Sequence, residues 1–137
     1  MVDRDALSSR LDALESYLAE LRSFRSRTRE EFVREPALHH LAERLLHLAC
    51  ECVVDLAHHI ISDLGLRQPS NYKDAMAVLA EAAAIPQELA ERMKLWMGFR
   101  NVLVHFYLTV DHGRAYDAIV NELGDFEDFA RAMSRYL

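Results

Sequence analysis

Glycine and proline are scarce in this chain, 4 and 3 in 137 residues, and cysteine, at 2, is scarcer still. Few breakers among abundant Leu, Ala, Glu and Arg predict long helices with short connections. Cys50 and Cys52 sit two apart in a helical run. They point in different directions and cannot readily bridge each other, so both are expected as free thiols in a core. No run of 18 apolar residues suggests a membrane span, and Met1-Val2-Asp3-Arg4-Asp5 is unlike a signal peptide. A soluble, cytoplasmic protein is the expectation. No Gly-rich phosphate loop, C-x-x-C pair, nucleophile elbow or paired-carboxylate motif is present. Positive charge is also in deficit: 16 Lys+Arg against 22 Asp+Glu give a net charge of −6, which argues against strong non-specific affinity for polyanions.

What is present is apolar surface. A hydrophobic content of 51% is ample for one core, and a single domain over residues 1–137 is expected. Charge is unevenly spread: Arg22, Arg25, Arg27 and Arg29 crowd the end of the first helix, and Arg92, Lys94 and Arg100 lie further on. Solvated helix faces are the expected reading, with a local basic patch as the alternative.

Leu7, Leu11, Leu14, Leu18 and Leu21 recur at helical spacing and predict an amphipathic helix over residues 3–24. Thr28 to Glu31 reads as a capping box opening a short turn of helix. Pro36 stops that turn and suits the start of a second helix, over residues 37–64 and closed by Gly65. Its apolar stripe (Leu38, Leu41, Leu45, Leu48, Cys52, Leu56, Ile60) is widened by Leu46, Ala49, Val53, Ala57 and Ile61, enough to meet more than one neighbour. Ser70 is the expected N-cap of a helix over 71–83, which Ile85-Pro86 breaks. A long helix follows, with Leu89, Met93, Trp96, Leu103 and Tyr107 on one side, ending between Leu108 and Gly113. Two shorter helices, over 114–123 and 126–137, are separated by Gly124 and Asp125, the latter a candidate cap. The predicted fold is an all-α, up-and-down helical bundle.

The chemistry concentrates in Phe99-Arg100-Asn101-Val102-Leu103-Val104-His105-Phe106-Tyr107. Arg and His rarely enter so apolar a segment without a partner or a task, because buried charge is costly unless paired. Arg offers a planar fork of donors to a phosphate, and His titrates near neutrality. At 100° per residue Arg100 and His105 lie about 140° apart. Convergence therefore requires the helix to loosen near His105, Arg100 to reach round on its long stem, or a second subunit to supply the other residue. Asn101 precedes His105 by four residues, close enough to orient the ring. Gly98, costing about 1 kcal/mol relative to Ala in mid-helix, permits a close approach. The alternative is a core histidine capped by Asn101, with Arg100 reaching solvent.

A second polar pattern lies on the second helix, which holds five of the seven His. His40, Arg44, His47, Glu51, Asp55 and His58 share one stripe. Bundle metal sites use such spacings, but no other helix offers a matching Glu/His set, and a solvated or interface face is the expectation. Lys73-Asp74 and Glu88, Glu91, Arg92 read as solvated charge.

Arg100-Asn101, the four-residue interval to His105 and the following Tyr107 resemble the R-x4-H-x-Y motif of HepT-type proteins, HEPN-superfamily ribonuclease toxins that pair with an MNT nucleotidyltransferase antitoxin. The opening Leu-rich helix, Glu30-Glu31-Phe32, Leu64-Gly65-Leu66, Gly98-Phe99 and Asp125 to Ala130 are similar as well. The resemblance implies a metal-independent endoribonuclease, without cofactor, built as a homodimer. Its motif, on the long fourth helix, would line a cleft between subunits. It implies Arg100 and His105 as catalytic residues, Asn101 in support, and Tyr107 as the acceptor of adenylyl groups from the antitoxin. Two other classes stay open: a non-catalytic helical adaptor of a nucleotidyltransferase, and a metal-binding bundle.

Overall fold

A computed structural model describes residues 2–137. Among them are seven α-helices and no strand: α1 (Arg4–Ser23), α2 (Arg29–Arg34), α3 (Pro36–Asp63), α4 (Tyr72–Glu81), α5 (Gln87–His105), α6 (His112–Asn121) and α7 (Gly124–Ser134). The all-α expectation holds, and the motif helix is α5 once the short α2 is counted.

The caps explain most boundaries. Asp3 accepts a hydrogen bond from the Ala6 amide and opens α1. At α2, Thr28 and Glu31 exchange both bonds of a capping box. Pro36 is the first residue of α3, where its missing N–H costs nothing, and Gly65 adopts φ +65° just beyond the helix end. Three helix starts differ from expectation. Asn71, not Ser70, caps α4 by accepting from the Asp74 amide; Ser70 instead donates its amide and hydroxyl to the Asp74 carboxylate. Asp111 caps α6 by accepting from the Arg114 amide, so that helix starts earlier. Asp125 lies in the first turn of α7 and accepts from Arg92 and Trp96 rather than capping.

α3 is the central element and packs against α1, α2, α4, α5, α6 and α7. Leu46, Ala49, Val53, Leu56, Ala57 and Ile60 are fully buried on it, although Leu41, expected in the stripe, is 53% exposed. This helix is long and apolar enough to cross a membrane by composition alone, but over half of its apolar window is buried inside the bundle. It is the core helix the wide stripe predicts. Leu7, Leu14, Leu18 and Leu21 close one side, and Phe126, Phe129 and Met133 of α7 close the end. Cys50 and Cys52 are free and buried, as expected.

The four arginines near the end of α1 do not form an open basic patch. Arg22 pairs with Glu15 and Glu127, Arg27 with Glu31 and Glu35, and Arg29 with Asp117, while Arg25 donates to the Ile119 carbonyl.

Candidate functional site

The apolar stripe of α5 carries Leu89, Met93 and Trp96 into the core and then stops. From Val102 onward the side chains are half-buried or exposed, so burial no longer holds the helix together. α5 ends at His105, short of the expected Leu108–Gly113. The Phe106 amide closes the helix on the Val102 carbonyl, and a single tight turn, Tyr107–Thr109, follows. Thr109 stabilises that turn by donating its amide and hydroxyl to the Phe106 carbonyl. Phe106, Tyr107 and Leu108 are consequently 61%, 68% and 87% exposed, and Tyr107 does not continue the buried side of α5.

Arg100 faces the opposite environment. Its side chain is only 15% exposed. The Nε donates to Glu51 on α3 at 2.7 Å, one Nη1 hydrogen goes to Asn101 Oδ1 at 3.2 Å, and the guanidinium lies 4.6 Å from the centroid of the Tyr72 ring. His105 is exposed and makes no side-chain hydrogen bond among the described residues. Asn101 therefore engages Arg100 in this chain and not the His105 ring. Of the three routes to convergence, the helix does end at His105, but Arg100 is drawn inward, and the two side chains meet different neighbours.

The polar stripe of α3 supplies the inward partner. Arg44 Nη1 lies 3.0 Å from His47 Nδ1, and His47 Nε2 lies 3.2 Å from the Glu51 oxygen that also receives Arg100. A polar chain thus runs Arg44, His47, Glu51, Arg100 across the α3–α5 contact. Further along the stripe Asp55 lies 3.9 Å from Arg10, and His58 sits edge-on to Tyr72. Among the described residues, no three His, Cys, Asp or Glu side chains are grouped to hold a metal ion.

Two concave regions flank this chain. A cleft of about 680 Å³ lies between α3, the end of α5 and the start of α6; Arg44, His47, Val104, Tyr107 and His112 are among its walls. His112, expected only as a turn former, stacks on the buried His39 at 3.7 Å between centroids, and its Nδ1 lies 2.5 Å from Glu43. His39 in turn donates Nδ1–H to the Phe32 carbonyl, which fixes its tautomer. The second region is a shallower notch of about 420 Å³ lined by Asn71, Tyr72, Lys73, Arg100 and Asn101. The Lys73 ammonium lies beside α5 at Gly98, where an added Cβ would stand 3.4 Å from its Nζ and Cε, an ordinary contact.

The sequence left Glu43, Tyr72, Lys73 and His112 out of the site. Glu51 stood in the α3 stripe, but nothing in its spacing assigns it to Arg100, because that contact joins positions 49 residues apart.

The chain as a whole is similar to known proteins. The profile of a family described as "Ribonuclease HepT-like" matches residues 14–133. The chain is 29% identical to a protein named putative RNase YutE from Bacillus subtilis, over 99% of this chain and 90% of that one. It is 27% identical to a tRNA nuclease HepT from Aphanizomenon flos-aquae, over 96% and 89% of the two chains. The solved structure of YutE, described as a cytosolic protein, superposes with a TM-score of 0.84 over 99% of this chain and 91% of that one. A tri-AMPylated HEPN toxin from Shewanella oneidensis, solved in complex with an MNT antitoxin, has a TM-score of 0.89 at 23% identity, over 96% and 98% of the chains. At that identity the likeness concerns the fold.

Proposed function

The chain belongs to the HepT-like ribonuclease family, and on that premise we propose that it is a metal-independent endoribonuclease, the toxin of a toxin–antitoxin pair whose partner is an MNT-type nucleotidyltransferase. The observation that carries the reading is the R-x4-H-x-Y segment at the end of α5, which leaves His105 and Tyr107 exposed while Arg100 is held in a polar network.

RNA supplies its own nucleophile. His105 would accept the proton of a ribose 2′-hydroxyl as that oxygen attacks the adjacent phosphorus. The bond from phosphorus to the 5′ oxygen then breaks, and a proton returns to that oxygen. General acid–base help of this kind contributes roughly 10²–10⁴-fold. Arg100 would bind the phosphate and the charge developing on it, with Asn101 holding the guanidinium. Because Arg100 and His105 meet different neighbours within one chain, the reading calls for a homodimer in which the α5 ends of two copies share a cleft. The exposed Phe106 and Leu108 are apolar surface suited to such a contact.

Tyr107 would be the off-switch. Its phenol oxygen attacks the α-phosphorus of ATP in the antitoxin site, pyrophosphate leaves, and the phenol proton is lost. An adenylyl group adds negative charge and bulk next to a site that must admit RNA. Full RNA cleavage after quantitative adenylylation of Tyr107 would sink this part of the proposal.

The pairing of Arg100 with Glu51 favours a second reading, a non-catalytic helical adaptor of the nucleotidyltransferase. Cleavage of RNA in excess chelator, abolished in His105→Ala, separates the two.

A further inference from the structure

We infer that the notch between α4 and α5 is a phosphate seat for the RNA strand, in which Lys73 acts beside Arg100 and Glu51 is the positioning residue that fixes Arg100. The seat takes its ligand class from the ribonuclease reading; its geometry comes from α3, α4 and α5 alone.

An arginine carries five N–H donors. Glu51 takes the Nε hydrogen and Asn101 one of those on Nη1, leaving both Nη2 hydrogens and the second on Nη1 without a partner among the described residues. Glu51 and the Tyr72 ring hold the guanidinium from α3 and α4, while Arg100 still lines the notch. A fork held at its base with free outer donors suits the bidentate grip of a phosphate. It also loses less entropy on binding than a free side chain would.

Lys73 is the second cation in this notch. It is exposed and makes no ion pair or hydrogen bond among the described residues, whereas the neighbouring carboxylates are committed elsewhere. Asp74 receives two bonds from Arg67 and two from Ser70, and Glu51 receives Arg100 and His47. The Lys73 ammonium rests beside α5 next to Gly98. Two cations with spare donors, on a protein of net charge −6, form a local exception that an anion would find.

The test measures binding of a fluorescein-labelled single-stranded oligoribonucleotide to full-length His105→Ala protein across a salt series. Adding Lys73→Ala is expected to weaken binding about tenfold, as loss of one charged hydrogen bond does. It should also flatten the slope of log affinity against log salt by about 0.7, the value of one phosphate contact on single-stranded nucleic acid. Lys73→Arg should restore both. Lys94→Ala, which removes the same charge where Lys94 pairs with Glu91, should move neither by a comparable amount. In protein that retains His105, Glu51→Gln should lower kcat roughly tenfold or more through misplacement of Arg100, a larger change than it makes in RNA affinity. Affinity and slope in Lys73→Ala that match the Lys94→Ala control would overturn the seat. An unchanged kcat in folded Glu51→Gln would overturn the positioning role. Failure of the wild type to cleave RNA would instead remove the ribonuclease reading, and the binding series would still decide whether the seat exists.

Discussion

Glu51 on α3 accepts the Nε–H of Arg100 on α5 at 2.7 Å, so the motif arginine is oriented by a helix residue 49 positions earlier in the chain. With His105 exposed at the end of the same α5, the motif is divided between a held residue and a free one. This division underlies both the homodimer proposal and the phosphate seat.

Tyr107 can be changed without cost to the fold. Its side chain is 68% exposed and makes no side-chain hydrogen bond among the described residues. Tyr107→Phe should melt within about 1 °C of wild type, since exposed substitutions of this kind are nearly neutral. It should keep RNA cleavage and acquire no adenylyl mass when incubated with the nucleotidyltransferase and ATP. Intact-mass spectrometry together with a cleavage assay checks this.

The Arg67 cluster should give the bundle an acid-sensitive element. Side-chain hydrogen bonds from Arg67, joined by the Ser70 amide, hold the Asp74 carboxyl well below the usual carboxylate range; Arg67 lowers Glu81 as well. A carboxylate whose folded value is depressed contributes stability that is present above its unfolded value, about 4, and is lost as pH falls toward the folded value. Thermal melts between pH 7 and pH 3 should therefore show falling stability below about pH 4. The fall should be shallower in Arg67→Ala.

Burial should make both cysteines unreactive. It pushes the Cys50 thiol well above its ordinary value and the Cys52 thiol up to about 11. The thiolate is the reactive form, so iodoacetamide at pH 8 should leave the folded protein largely unmodified and add two groups once it is unfolded. Rapid labelling of Cys50 in the folded state would contradict the packing around α3.

Phe32 anchors the short α2 to the core. It is fully buried, with Phe24, Tyr116 and His39 against its ring. Phe32→Ala should lose about 3–5 kcal/mol, read from urea unfolding. Thr28→Ala at the capping box should lose about 1 kcal/mol.

Much of this architecture is legible in the sequence because it rests on local rules. The stripe of α3, the Thr28–Glu31 box, Pro36 and Gly65 each follow from spacing or backbone preference within a few residues. The end of α5 follows from no such local rule. Leu103 and Tyr107 keep a helical period, yet the buried surface that would sustain the helix runs out before them, and burial is a tertiary property. The site shows the same division. Arg100, Asn101, His105 and Tyr107 stand out as polar residues in an apolar run. Lys73 looks like any solvated lysine until Gly98 is seen beside it, and Glu51 like any stripe residue until α5 packs on α3. Ser70 and Asn71 are both good caps, and only the hydrogen bonds around Asp74 decide between them.

The most direct test of the central claim is RNA cleavage by the purified protein in excess EDTA, run beside His105→Ala and Arg100→Ala with folding verified by circular dichroism. The account predicts cleavage by the wild type that is indifferent to chelator and lost in both variants. Undiminished cleavage in His105→Ala, or none by unmodified wild-type protein, would contradict it.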